Sequence, residues 1–183
     1  MAEELDEKKL VGMFREERSK LQAFEQLLDL YQKKIYWHVR RIVISHDDAD
    51  DVVQNTFIKV WENLGTFRED SRLYTWMFRI ATNEALQFLR KKRSDTHVSV
   101  DDLGEELSAR LISSSHFNGN TAELKLQEAI LKLPEKQRLV FNMRYYENMK
   151  YEDMEQVLGT STGALKASYH HAVKKIEASL KGN

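Results

Sequence analysis

Two adjacent histidines, His170 and His171, stand in GTSTGALKASYHHAVKKI, a basic stretch from Gly159 to Ile176. A histidine pair can ligate a metal, pass protons in catalysis, or meet an acidic partner. On a helix, neighbours point about 100° apart, so these rings do not converge on one ion as an i, i+4 pair would. Nearby there is no carboxylate or third histidine at ligand spacing and no accompanying nucleophile. The same geometry places Leu165, Tyr169, Ala172 and Ile176 on one side, facing a core, and Gly163, Lys166, Ala167, His170 and Lys174 on the other. Small residues near a helix N-terminus permit close approach to DNA. Backbone N–H groups there bind phosphate, and longer side chains reach base edges. His170 is central on that face and reads as a DNA contact. His171, at its edge, reads as a contact or as a solvated residue.

Two further stretches carry binding chemistry. In DDADDVVQNTFIKVWENL the aspartates suit a helix N-terminus. Val53, Phe57, Val60 and Leu64 form its core stripe, while Asp51, Gln54, Asn55 and Glu62 face outward. Ile58 lies among these polar residues and Trp61 flanks them. Apolar groups on a polar face mark a partner surface, although Trp61 can equally fold back on the next helix. In LYTWMFRIATNEALQFLRKKR, Thr75, Arg79, Thr82, Asn83, Leu86 and Arg90 share a narrow side that ends in four basic residues, Arg90 to Arg93. Basic groups beside amides and hydroxyls fit a nucleic-acid track. The preceding GTFREDSRLY offers Phe67, Arg68, Ser71, Arg72 and Tyr74 as an aromatic and basic loop able to hold unstacked bases. Trp76, Phe78 and Phe88 read as core.

These residues need helices to hold them, and the sequence supplies helices throughout. There is one proline, seven glycines and little strand alternation. Phe24, Leu27, Leu28, Tyr31, Ile35, Val39 and Ile42 recur at three and four, predicting a helix from Leu21 to Ile44. A second is expected over Ala49 to Leu64, and a third after Ser71, a candidate N-cap, to Arg93. Ser94 to Ala122 is acidic and rich in serine and asparagine. It reads as a linker, with a short helix around Leu107 to Leu111. Helical pattern resumes at Glu123. Pro134 suits the first turn of a helix over Glu135 to Glu147. A short helix from Tyr151 to Leu158, a turn at Gly159 and a last helix from Ser161 to Leu180 make a helix-turn-helix pattern. The expected fold is all-α. Two small helical domains, residues 1–93 and 123–183, flank an acidic linker at 94–122.

Composition narrows the function further. The formal net charge is −1, but it is unevenly spread. Arg79 to Arg93 holds five basic residues and one acid, Gly159 to Asn183 four lysines and one glutamate, and the segment between is acidic. Two basic footprints on separate segments suit a polyanion. The absence of cysteine excludes disulfides, thiolate nucleophiles and cysteine-ligated zinc. No cofactor is expected and no residue is a candidate for catalysis. No apolar run approaches spanning length, and the acidic start differs from a secretory signal, so a cytoplasmic location without membrane insertion is expected.

DDVVQ-x-x-F-x-x-x-W, TW-x-x-RIA-x-N, L-P-x-x-x-R and Y-x-x-x-x-x-x-L-G-x-S-x-G occur here in that order. Together they resemble the extracytoplasmic-function (ECF) group of bacterial sigma factors over nearly the whole chain. Residues 47–93 resemble the family's region 2 and residues 126–180 its region 4. The resemblance implies that Asp51, Gln54, Asn55, Ile58 and Trp61 bind the clamp helices of the largest subunit of core RNA polymerase. It implies that Arg68, Ser71, Arg72, Tyr74, Arg79, Asn83 and Arg90 open and read the −10 element on the non-template strand, with Asn83 near the captured base. It places Gly163, Lys166, Ala167, His170, His171 and Lys174 on the −35 duplex, with the C-terminal domain on the polymerase flap tip and the linker in the RNA exit path. An anti-sigma factor is the further partner the family leads one to expect. Lys166 stands where members often carry arginine, and Thr160-Ser161 lacks a proline common at that helix start. A stand-alone DNA-binding regulator needs one DNA footprint and a dimer surface. The apolar residues of the second helix and the basic stripe of the third fit it less well.

Overall fold

A computed structural model describes residues 7–96 and 121–182. Among them are eight α-helices and no strand. Seven of the helices lie where the sequence pattern predicts helix. The expected helix at Leu107 to Leu111, and residues 97–120 of the expected linker, lie outside the described residues. The chain divides into two compact units, Met1–Gln87 and Phe88–Asn183.

The first unit begins with a helix that the sequence reading passes over, α1, Glu7–Arg15, which buries Leu10, Val11 and Phe14. The next, α2, runs Lys20–Val43 and α3 runs His46–Asn63. Ile44 turns the chain between them at φ 66°, an unusual conformation for a β-branched residue. Its side chain is buried and its N–H donates to Arg40 O at 2.9 Å, which offsets the strain. The α3 helix starts three residues before the expected Ala49. Ser45 Oγ accepts from Asp48 N at 3.4 Å, and Asp47 and Asp48 occupy the positive end of the helix dipole. Val53, Phe57, Val60 and Leu64 are all buried, as their spacing predicts.

A 3-10 turn, Leu64–Thr66, leads into an irregular segment and then α4, Leu73–Thr96. Ser71 is not its N-cap. Its hydroxyl turns to Arg72 O, and the Leu73 N–H is taken by the Glu7 carboxylate at 2.8 Å. A full carboxylate suits the positive helix end better than a neutral hydroxyl. Leu73, Met77, Phe78, Ala81 and Ala85 pack inward. Truncating a ring as enclosed as Phe78 costs about 3–5 kcal/mol.

The second unit takes the end of α4 from Phe88 and holds α5, Thr121–Leu131; α6, Glu135–Tyr145; α7, Tyr151–Leu158; and α8, Thr162–Lys181. Its core joins Ala129, Ile130, Leu133, Phe141, Ala172 and Ile176. Pro134 is the residue just before α6, with φ −53° and ψ 143°, rather than inside its first turn. Arg138, the last residue of L-P-x-x-x-R, is buried and donates to Leu131 O at 3.4 Å, tying the end of α5 to α6. Burial lowers its pKa, and Glu135 opposes that shift. Gly159 closes α7 at φ 63°, the left-handed conformation that glycine adopts without penalty. Ser161 then caps α8 by accepting from Ala164 N at 3.4 Å.

Candidate functional site

Three surfaces emerge, each set by the buried stripe behind it. The first lies on α3. Asp51, Gln54, Asn55 and Ile58 are exposed, Ile58 by 50%, although it is a large apolar residue. Asp51, Gln54, Ile58 and Trp61 line a groove of about 980 Å³ shared with Phe24, Leu28 and Tyr36 of α2. Asn55 does not line it. Trp61 is half-buried, edge-on to Phe14 at 5.2 Å and to Phe24 at 4.9 Å, with Lys20 Nζ 4.9 Å over its ring. It therefore folds back, but onto α1 and α2 and not onto the helix that follows. Trp61 also forms part of the groove wall. An apolar floor with carboxylate and amide groups at its rim suits a protein partner.

The second surface runs from the 67–72 segment onto α4. Arg68, Arg72, Arg79, Asn83 and Arg90 are exposed, and Ser71 is partly so. The polar stripe is narrower than its sequence suggests. Thr75 and Thr82 are each only 1% exposed. The Thr82 hydroxyl donates to Phe78 O at 2.7 Å and so accepts from buried His38 Nε2 at 2.8 Å. A mid-helix threonine that bonds to its own i−4 carbonyl no longer needs water. Phe67 is 6% exposed and packs on Trp76 at 5.1 Å, so it is not an outward ring of the loop. Tyr74 is half-buried against Phe78 at 4.1 Å. Of the basic run, Arg90 and Lys91 are exposed, Lys92 sits over the Phe88 ring, and Arg93 pairs with Glu135 within the second unit.

The third surface is the outer side of α8. Gly163, Lys166, Ala167, His170, His171 and Lys174 are all exposed. Leu165, Ala172 and Ile176 are buried opposite, and Tyr169 stacks on Phe141 at 5.8 Å. The His170 and His171 ring centroids stand 5.9 Å apart at 60°, so the rings do not share one coordination point. Lys166 Nζ lies 5.6 Å over the Tyr151 ring, within cation–π range.

Residues 27–95 match the sigma-70 region 2 model and residues 123–176 the sigma-70 region 4 model. Among curated relatives, the RNA polymerase sigma-H factor of Pseudomonas aeruginosa is 31% identical over 91% of this chain and 90% of that one. The ECF sigma-E factor of Haemophilus influenzae is 30% identical over 97% and 96%, and SigW of Bacillus subtilis 27% over 87% and 89%. The chain belongs to the ECF group of sigma factors. Membership carries the family's function, promoter-specific initiation of transcription with RNA polymerase. The fold agrees. CnrH, solved with the cytosolic domain of CnrY, superposes with TM-score 0.71 at 24% identity over 97% of this chain and 98% of that one. RpoE of Bartonella quintana, solved with the anti-sigma factor NepR, superposes with TM-score 0.68 at 23% identity, over 86% and 96%.

Within this sigma factor, two contacts around the segment before α4 escape the sequence reading. Glu7 caps α4, and Arg15 reaches the turn and segment before it. The only sequence signal for either is the Leu10, Val11 and Phe14 spacing. No helix among the described residues is long and apolar enough to cross a membrane.

Proposed function

We propose that the three surfaces divide the work of initiation. The α3 surface, through Asp51, Gln54, Ile58 and Trp61 in the groove and Asn55 beside it, takes the clamp helices of the polymerase largest subunit. Arg68, Ser71, Arg72, Tyr74, Arg79, Asn83 and Arg90 engage the non-template strand at the −10 element. Gly163, Lys166, Ala167, His170, His171 and Lys174 meet the −35 element in the major groove of duplex DNA. The functional division then follows residues 1–93, 94–122 and 123–183, with the acidic middle segment in the path of RNA. The observation that carries this reading is the exposure of three chemically distinct faces, one amphipathic and two basic, each backed by its own buried stripe.

The protein performs no bond chemistry itself in this reading. It selects where polymerase begins, from the cytoplasm, and an anti-sigma factor holds it inactive. Reconstitution with core polymerase and transcript mapping on a genomic template test the whole scheme. Discrete start sites that share one −10 and one −35 sequence, in the absence of any other sigma factor, are the expected result. Initiation without a shared upstream sequence would overturn it.

A further inference from the structure

The α1 helix, Glu7–Arg15, precedes the segment matched by the region 2 model, which begins at residue 27. Its last residue is a clamp. Arg15 Nε donates to Gly65 O at 3.3 Å, Nη2 to Phe67 O at 2.6 Å, and Nη1 to Glu69 Oε1 at 3.2 Å. Its first residue acts at the far end of the same segment. Glu7 Oε2 accepts from Leu73 N at 2.8 Å, while Oε1 accepts from Tyr31 Oη at 3.2 Å. One short helix thus touches both ends of the span from Gly65 to Leu73, and that span contains Arg68, Ser71 and Arg72.

The span needs holding. Between Thr66 and Leu73 there is no helix, and Glu69 has φ 61°, a conformation that a non-glycine residue keeps only when its surroundings over-determine it. An exposed Arg–Glu pair alone contributes little. Here the same guanidinium also makes two charge-assisted bonds to main-chain carbonyls, one of them from buried Phe67. A planar fork can serve three acceptors at once, whereas a lysine ammonium cannot match that geometry.

We propose that Arg15 and Glu7 are positioning residues for promoter opening: they fix the shape in which the Arg68–Arg72 segment meets the −10 element. This rests on the assignment of that segment to the −10 element, and the test separates the two. Full-length variants are assembled with core polymerase. Three quantities are measured for each: affinity for core, thermal midpoint, and opening rate on a mapped promoter and on the same promoter with single −10 substitutions. The readout is the ratio of opening rates between the two templates.

Arg15→Ala is expected to lower that ratio about tenfold, the scale of a lost charge-assisted contact, with core affinity changed less than about twofold. Arg15→Lys should fall short of wild type. Glu7→Ala should lower the ratio as well, and Glu7→Gln, which keeps an acceptor for Leu73 N, should largely restore it. Glu69→Gly leaves α1 intact, removes one Arg15 partner and relaxes the left-handed residue, so it should also lower the ratio without loss of fold. An unchanged ratio in Arg15→Ala and Glu69→Gly overturns the proposal, as does a loss of opening that merely follows core affinity or thermal midpoint. Arg68→Ala and Arg72→Ala are measured alongside. If they leave opening intact, the −10 assignment fails and the positioning role with it. If they impair opening while the α1 variants do not, only the positioning role fails.

Discussion

Asn83 is exposed on α4 one residue after Thr82, whose buried hydroxyl bonds to His38 and to Phe78 O. Those bonds fix the rotation of α4 and with it the exposed position of Asn83. Asn83→Ala is therefore expected to slow promoter opening about tenfold or more, the scale of one lost base contact, and to leave core binding within about twofold. Kinetics of strand opening and a separate core-binding titration check it; equal loss in both would mean misfolding. Tyr31, whose hydroxyl donates to Glu7, offers a pH test of its burial together with that contact. Its hydroxyl is pushed from 10.0 up to about 12, first by burial and then by the Glu7 carboxylate. The folded state therefore keeps a proton that the unfolded state releases. The stability this confers is complete below about pH 10 and is lost as pH rises from 10.0 to about 12. Thermal melts should show Tyr31→Phe losing less stability across that window than wild type.

At the scale of elements, α3 brings exposed Asp51, Gln54 and Ile58 into one groove beside the buried Val53 and Phe57. Asp51→Ala with Gln54→Ala should weaken core binding about thirtyfold, at roughly 1 kcal/mol for each rim contact, and leave helicity unchanged. Pull-down with core polymerase and circular dichroism together decide it. In the second unit, Gly159 has φ 63° and open space where a Cβ would stand, so Gly159→Ala costs only backbone strain. It should destabilise the unit by about 1–2 kcal/mol, and Gly159→Asn by less, as denaturant melts would show. The α2, α7 and α8 helices were legible because apolar residues repeat along them at three and four. The α1 helix was not, since only Leu10, Val11 and Phe14 are buried and its polar partners in the 65–73 span lie 50 or more residues away. Phe67 misled for a related reason. An aromatic in an irregular segment has no periodicity to show which way it points. Thr75 and Thr82 misled because residue type reads as polar before hydrogen bonding is known.

For the whole molecule, charge on the exposed surfaces predicts ionic behaviour. Lys166 and Lys174 are exposed on α8. Binding of a −35 duplex should fall linearly with salt on logarithmic axes, and Lys174→Ala should reduce the slope by about one if that residue meets a phosphate. A titration from low to high salt reads this directly. The two helical units and the order of their motifs were visible in the sequence because each unit buries its own stripes. The brace across the 65–73 span was not, because it depends on contacts distant in the chain. That brace also has a history within each molecule. Arg15 and Glu69 are separated by 54 positions, so translation delivers the second roughly three to ten seconds after the first. Every residue that lines the α2–α3 groove lies before Glu69. Gly65, Phe67 and Glu69, the three groups that Arg15 holds, all follow the last groove residue, Glu62, so the groove is fully synthesised before the brace has any partner.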